Sequence, residues 1–303
     1  MGKVIRIGTR DSQLALWQAN TVKDKLEALG YKTELVAIKS TGGLVLDKPL
    51  YELGITGIFT KTLDVAMLNG TVDIAVHSMK DVPTLLPKGI VQAAVLERAS
   101  FEDILLTKDQ PNFENPATIA TGSLRRKAQW LHRYPHHKVV DLRGNVNTRL
   151  QKLADSDWQG AVFAKAGLER IEVLPSGFKT LDWMIPAPAQ GAMVIATLEN
   201  DAYSTEAASK LNHINSEICT HIEREFLRTL EGGCTAPIGA IARIVNDRIQ
   251  FKGVLLSLDG ETKLEIEKAI DIANYKNFGK ECANNILSNG GAELMQLIKR
   301  EIS

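Results

Sequence analysis

The stretch Val4-Ile-Arg-Ile-Gly-Thr-Arg-Asp-Ser-Gln-Leu-Ala15 decides how the fold is read. Val4 to Ile7 has the composition of a strand. Asp11 and Ser12 can then cap a helix whose apolar face is Ala15, Ala19, Val22, Leu26 and Leu29, ending at Gly30. Steps of three and four residues place these side chains on one helix face. Working outward, Thr33 to Ile38 reads as a second strand, followed by a loop through Thr41-Gly-Gly43. A helix is predicted from about Thr60 to Leu68, stopping at Asn69-Gly70, and Asp73 to His77 reads as a short buried strand. Strands alternating with helices predict parallel sheets with crossover helices.

The pattern restarts near Phe101. Ile104 to Leu106, Thr118 to Ala120, Val139 to Leu142 and Ala161 to Phe163 read as strands, with helices starting near Ser123 and Val146. Two prolines stiffen Ile185-Pro-Ala-Pro-Ala-Gln-Gly-Ala192, which reads as a crossing between domains. After residue 213 the grammar changes. A long helix, Asn215 to Leu230, leads into Glu231-Gly-Gly-Cys234, and three strands follow: Ile238 to Val245, Arg248 to Ser257 and Lys263 to Ile270. A terminal helix is predicted from Tyr275 to Lys299. The expected domains are 1–96 with 190–212, then 97–189, both α/β, and 213–303, a small α+β domain.

Lys+Arg and Asp+Glu balance at 36 each, which argues against a globally basic nucleic-acid binder or a polybasic membrane binder. No apolar run approaches the roughly 20 residues of a membrane span, and the charged start Met1 to Gly8 does not read as a signal peptide. Cys219, Cys234 and Cys282 are odd in number and far apart, without a CxxC pair. Neither a disulfide framework nor a metal knuckle is expected, and a reducing cytoplasm is the simplest location.

Three groups of residues carry chemistry. The first is a repeated strand–loop–helix junction with cations and hydroxyls: Arg10-Asp11-Ser12, then Thr121-Gly-Ser-Leu-Arg-Arg126, then Leu142-Arg-Gly-Asn145 with Arg149 one turn on. Helix N-termini attract anions, and a guanidinium fits a carboxylate or phosphate. From 121 to 149 there are seven Lys/Arg and one Asp, a local positive patch. A solvated helix face explains one such arginine better than it explains three junctions of one design. His136-His137 reads as an exposed turn, without partners for a metal. The second group is Asp73-Ile-Ala-Val-His-Ser-Met-Lys-Asp-Val-Pro83, which holds Lys80 and Asp81 together after a buried strand. Asp81 can stabilise a cation or carry a proton, and Lys80 can bind a carboxylate; read alone, a surface salt pair is the plainer account. The third is Cys234 on its Gly-Gly turn, placed for attachment, catalysis or neither. Cys219 and Cys282 fall in predicted helices and fit inert buried thiols.

Six segments in order resemble the porphobilinogen deaminase (hydroxymethylbilane synthase) family. They are Ile7-Gly-Thr-Arg-Asp-Ser-Gln-Leu-Ala-Leu-Trp-Gln18, Ala75-Val-His-Ser-Met-Lys-Asp-Val-Pro83, Ser123-Leu-Arg-Arg126, Leu142-Arg-Gly-Asn-Val-Asn-Thr-Arg149, Ala166-Gly-Leu-Glu-Arg170 and Leu227-Arg-Thr-Leu-Glu-Gly-Gly-Cys234. The resemblance implies two α/β domains like type II periplasmic-binding-protein lobes and a third domain carrying the cysteine, with a three-stranded sheet. It implies a dipyrromethane cofactor held by a thioether at Cys234. Four porphobilinogen units would be added head to tail, each losing ammonia, and hydrolysis would release the linear tetrapyrrole. Each pyrrole brings an acetate and a propionate. Two like charges about 4 Å apart repel by roughly 4 kcal/mol at an effective dielectric near 20, so clustered arginines suit the product.

By the same resemblance, Asp81 is catalytic. Ser12, Lys80, Asp81, Thr121, Ser123, Arg125, Arg126, Arg143 and Gly144 would contact the cofactor. Arg10, Ser12, Arg143, Arg149, Arg170 and Gln190 would contact substrate. The chain is expected to act as a cytoplasmic monomer on a small molecule, without metal, nucleic acid or membrane. It departs from the family's pattern in Gly54-Ile-Thr-Gly-Ile-Phe59, where Thr56 replaces a lysine, at Glu52, at Ala189-Gln-Gly191 and at Ile195-Ala196. These departures bear on loop closure and elongation rate more than on the reaction. A non-catalytic two-lobed anion binder is the competing reading; the cysteine domain weighs against it.

Overall fold

The computed structural model describes residues 3–38, 60–109, 111–230 and 236–302. The loop through Thr41-Gly-Gly43, Glu52, Thr56 and Cys234 lie outside the described residues. Two compact units are present: described residues 3–38, 60–99 and 191–218 form one, and 100–190 with 219–302 form the other.

In the first unit, β1 (Val4–Arg10), α1 (Gln13–Ala28), β2 (Lys32–Ile38), α2 (Lys61–Leu68), β3 (Ile74–Ser78) and β4 (Ile90–Val95) follow in order. The sheet order is β2-β1-β3-β10-β4, where β10 is the returning strand Met193–Leu198. β1 runs parallel to β2 from Val4↔Lys32 to Arg10↔Ile38 and parallel to β3 at Ile7↔Ile74. β10 is antiparallel to β3 and β4, so the sheet is mixed where alternation alone predicted a parallel one. Strand side chains alternate faces. Ile74, Val76 and Ile195 pack under α1 with Val22 and Leu26. The intervening Ala75 and Ala196 pack under α2 with Leu63 and Met67. Leu29, predicted as the last core residue of α1, is about half exposed because the helix ends at Ala28 and the chain turns at Gly30 with φ +88°.

The second unit contains β5 (Asp103–Leu106), β6 (Thr118–Ala120), α3 (Leu124–Arg133), β7 (Lys138–Val140), α4 (Val146–Asp155), β8 (Gly160–Ala164), α5 (Lys165–Arg170) and β9 (Lys179–Thr180). Its order is β7-β6-β8-β5-β9, with β5 antiparallel to both β8 and β9. This is the first sheet's plan repeated, with β6, β7, β8, β5 and β9 in the places of β1, β2, β3, β10 and β4. Both have the strand order of a type II lobe. Ile104, Leu106, Ala161 and Phe163 face Leu153 of α4, while Leu105 and Val162 face Trp130 of α3.

α6 (Ala202–Ser209) and α7 (Ile214–Thr229) precede the antiparallel meander β11 (Ile238–Val245), β12 (Arg248–Leu256) and β13 (Lys263–Asp271). Asn246 and Asp247 both have positive φ, 50° and 59°, the conformation of a type I′ turn, which Asn and Asp tolerate. Phe226 of α7 stacks edge-on to Phe251 at 5.2 Å, and a Cβ on Gly253 would lie 2.6 Å from the Phe226 ring. The terminal helix is broken where one continuous helix was predicted. α8 (Phe278–Ile286) and α9 (Ala292–Ile302) flank a widened turn at Leu287–Gly291. There Gly290 adopts φ 96°, outside the right-handed helical region.

Candidate active site

In the first unit, parallel neighbours β1 and β3 end at the same sheet edge, where ligands of open α/β sheets bind. β1 delivers Arg10, and Ser12 caps α1 by accepting from the Ala15 N–H at 3.4 Å. β3 delivers His77 and Ser78, then a 3₁₀ turn at Met79–Asp81. Met79 is buried, its N–H donates to Ala192 O at 3.0 Å, and this anchors the turn. Lys80 and Asp81, the two residues that follow that anchor in the turn, remain half-exposed. Gln18 Nε2 donates to Ser78 Oγ at 2.8 Å and ties α1 to the same loop. Burial, with the nearby Arg10 charge, pushes His77 down to about 4. His77 is therefore neutral at pH 7 and adds no charge beside Arg10. Arg10, Ser12, Lys80 and Asp81 are thus brought to one edge of one unit.

The second unit repeats the arrangement. β6 and β7 are parallel neighbours, and their following loops touch: a Cβ on Gly122 would lie 2.7 Å from Leu142 O. Ser123 caps α3 by accepting from the Arg126 N–H at 3.4 Å, and Thr121 Oγ1 accepts from the Ser123 N–H at 3.3 Å. Asn145 caps α4 by accepting from the Thr148 N–H at 2.9 Å. Gly144 has φ +111°, a region that disfavours other residues, and Arg149 Nε donates to its carbonyl at 2.8 Å. Arg170 ends α5, where burial pushes it down to about 10.

Arg125 and Arg126 are buried, which an exposed binding patch did not anticipate. Both face Asp103, a fully buried residue that sequence reasoning missed. Arg125 Nη1 donates to Asp103 Oδ2 at 2.7 Å and to Ile185 O at 2.7 Å. Arg126 donates to Asp103 Oδ1 through Nε at 3.0 Å and Nη2 at 2.7 Å, and to Val162 O through Nη1 at 3.1 Å. Burial alone would raise the Asp103 carboxyl. The charges of Arg125 and Arg126 and hydrogen bonds from Arg125 and Gln190 outweigh it, holding the group well below the ordinary carboxylate range. Gln190 is also buried, and its Nε2 donates to Phe101 O at 2.7 Å and Asp103 Oδ1 at 2.9 Å. The available signal for Asp103 was an acidic residue heading the otherwise apolar strand Asp103-Ile-Leu-Leu106.

A polyanionic ligand fits this donor set. Arg125 Nε and Arg143 Nη2 are buried without a hydrogen-bond acceptor, a costly state that an incoming carboxylate relieves. His137, predicted as part of an exposed turn, is buried: it accepts from Trp130 Nε1 at 3.2 Å through Nδ1 and meets Phe113 O at 3.0 Å through Nε2. Cys219 and Cys282 are buried cysteines, and burial pushes the Cys282 thiol up to about 12.

Residues 5–206 match the family model for the porphobilinogen deaminase dipyrromethane cofactor binding domain, and 217–288 match the model for the porphobilinogen deaminase C-terminal domain. The chain belongs to the porphobilinogen deaminase family. A Campylobacter hominis porphobilinogen deaminase is 39% identical over 301 residues, covering 96% of this chain and 97% of that one. The Desulfitobacterium hafniense protein of that name is 42% identical over 306 residues, covering 99% and 98%. A chloroplastic porphobilinogen deaminase of Oryza sativa subsp. japonica is 41% identical, covering 95% and 84%. Among solved structures, a periplasmic substrate-binding protein from Coxiella burnetii aligns at 15% identity with a TM-score of 0.44, covering 68% of this chain and 91% of that one. The porphobilinogen deaminase cofactor-domain match takes in Arg10 to Gln190, including every arginine discussed above; Cys234 falls within the C-terminal match.

Two outcomes follow from the charges of this porphobilinogen deaminase fold. His77 has a folded value of about 4 against an ordinary 6.5, so the unfolded chain takes up its proton first. Its contribution to stability is complete above about pH 6.5 and is lost as pH falls toward 4. The urea-midpoint difference between wild type and His77→Gln should therefore shrink over that window; a constant difference contradicts a neutral buried His77. Asp103→Asn leaves two buried guanidiniums without their anion and should cost about 3–5 kcal/mol in urea unfolding at pH 7. A loss below about 1 kcal/mol would remove Asp103 from the centre of the cluster.

Proposed function

We propose that the chain is the transferase of its family: it deaminates four porphobilinogen molecules and joins them head to tail on a covalently held dipyrromethane primer. It releases hydroxymethylbilane and ammonia in tetrapyrrole (heme) biosynthesis. The family match over residues 5–206 and 217–288 carries this reading, and the buried, incompletely satisfied guanidiniums support it. When bound, the dipyrromethane supplies the pyrrole carbon to which the first unit is joined.

The residues act as follows in this reading. Cys234 holds the primer through a thioether, a link that survives turnover. Asp81 stabilises the positive charge that develops on porphobilinogen as ammonia leaves, and accepts pyrrole N–H groups. The short turn anchored by Met79 fixes Asp81 in sequence beside Lys80, which pairs with a carboxylate. Ser12, Thr121, Ser123, Arg125, Arg126, Arg143 and the Gly144 backbone hold cofactor carboxylates. Arg10, Arg143, Arg149 and Arg170 neutralise those of the substrate and growing chain. Neutral His77 adds no second positive charge next to Arg10.

The three separate sheets support a three-domain division at 1–96 with 190–212, 97–189 and 213–303. The balanced charge and the two buried cysteines support a cytoplasmic monomer acting on small molecules. Among the described residues no helix is long and apolar enough to cross a membrane.

Intact mass spectrometry of the purified protein tests the reading. The mature chain should be heavier than its sequence by one dipyrromethane, lost in Cys234→Ala and kept in Cys219→Ala; active protein with unmodified Cys234 overturns it. Asp81→Asn should keep fold and cofactor and lose about 10²–10³-fold in kcat. Near-normal turnover of that variant removes Asp81 from the chemistry.

A further inference from the structure

The Asp103 cluster has an unequal charge count. Two guanidiniums, Arg125 and Arg126, share one carboxylate, and all three are buried. The fourth member, Gln190, donates through Nε2 to Asp103 Oδ1 at 2.9 Å and to Phe101 O at 2.7 Å. Its amide is neutral, so the hydrogen-bonded group keeps one uncompensated positive charge. The charges acting on Arg125 are those of Asp103 and Arg126. Arg125 is also the member with a donor left over, its Nε being buried without an acceptor. Its Nη1 is meanwhile fixed between Asp103 Oδ2 and Ile185 O, both at 2.7 Å. Gln129 holds the same residue from both sides, through Ile185 N–H to Oε1 at 2.8 Å and Nε2 to Ile185 O at 2.9 Å.

We propose that Asp103 and Gln190 are positioning residues, which orient Arg125 and Arg126 while leaving the pair one net positive charge for a carboxylate of the dipyrromethane. The proposal rests on the function proposed above. It assigns Gln190 an action through Asp103, in place of contact with substrate. Gln190 gives Asp103 a hydrogen bond without adding a second negative charge, and loss of that bond loosens the carboxylate that aligns the two guanidiniums.

The test compares Gln190→Met, which removes the hydrogen bonds to Asp103 and Phe101 without adding charge, with Gln129→Met, which removes two buried hydrogen bonds to Ile185 and leaves Asp103 untouched. The fraction of purified full-length protein carrying dipyrromethane is read by intact mass. Thermal midpoints are read in the Cys234→Ala background, where no variant can hold the cofactor. The two variants should have similar midpoints, and Gln190→Met should load at least tenfold less than Gln129→Met. Equal loading of the two overturns the proposal, as does a loading difference matched by a difference in midpoint, since position 190 would then act only through the fold. Wild-type protein without dipyrromethane overturns the parent reading instead, so the two failures are distinguishable.

Discussion

Burying Arg125 and Arg126 beside Asp103 takes three charges out of water, which is tolerable only with close pairing and nearly complete hydrogen bonding. That requirement organises much of the second unit. Asp103 heads β5, the strand that runs against its neighbours; Arg126 reaches across to β8 at Val162 O. Arg125 and Gln129 clamp Ile185, and the next residue, Pro186, accepts from the Ala240 N–H of β11 at 3.0 Å. A Cβ on Gly239 would lie 2.8 Å from Ile185 O, so β11 lies directly on this segment. The strand that follows the cysteine segment is therefore held to the helix that bears the arginine pair. The pairing also explains why burial does not abolish an anion-binding role: the fold uses most of the guanidinium donors and leaves Arg125 Nε over.

One sheet plan used twice gives the chain its chemical layout. In the second sheet the parallel neighbours β6 and β7 end side by side, each followed by a polar turn and a capped helix, and β1 of the first sheet leads into a capped helix in the same way. Ser12, Ser123 and Asn145 cap three such helices with their own side chains. Cations placed just after those strands sit at helix N-termini, where unsatisfied N–H groups already favour anions. His77 adds a second device. A buried imidazole next to Arg10 stays neutral, so His77 adds no positive charge to an edge that already carries Arg10 and Lys80.

Much of this was legible in particular residues. The 3.6-residue rhythm of Ala15, Ala19, Val22 and Leu26 fixed α1 to within a few residues, and Asn246-Asp247 fixed the first turn of the meander. β6 and β11 fall where their apolar runs place them. β4 and β10 were not foreseen, because a fully buried strand such as Met193–Leu198 lacks alternation and resembles a short stretch of core helix. The break at Gly290 was missed because helical periodicity continues on both sides of it. His136 and His137 look alike in sequence, yet only His137 points inward, against Trp130, Tyr134 and Phe113.

The sequence by itself determined the alternation of strands and helices, the capping residues, the concentration of cations at three helix starts and the membership of a porphobilinogen deaminase family. Those are local or collinear properties, set by side-chain period, cap chemistry and motif order. Which cations share an anion, and which are buried, was decided only by the tertiary structure. Asp103 lies more than twenty residues before Arg125 and nearly ninety before Gln190. Their meeting depends on an antiparallel strand entering the middle of the sheet, and no local spacing encodes the burial that turns three charges and an amide into one unit.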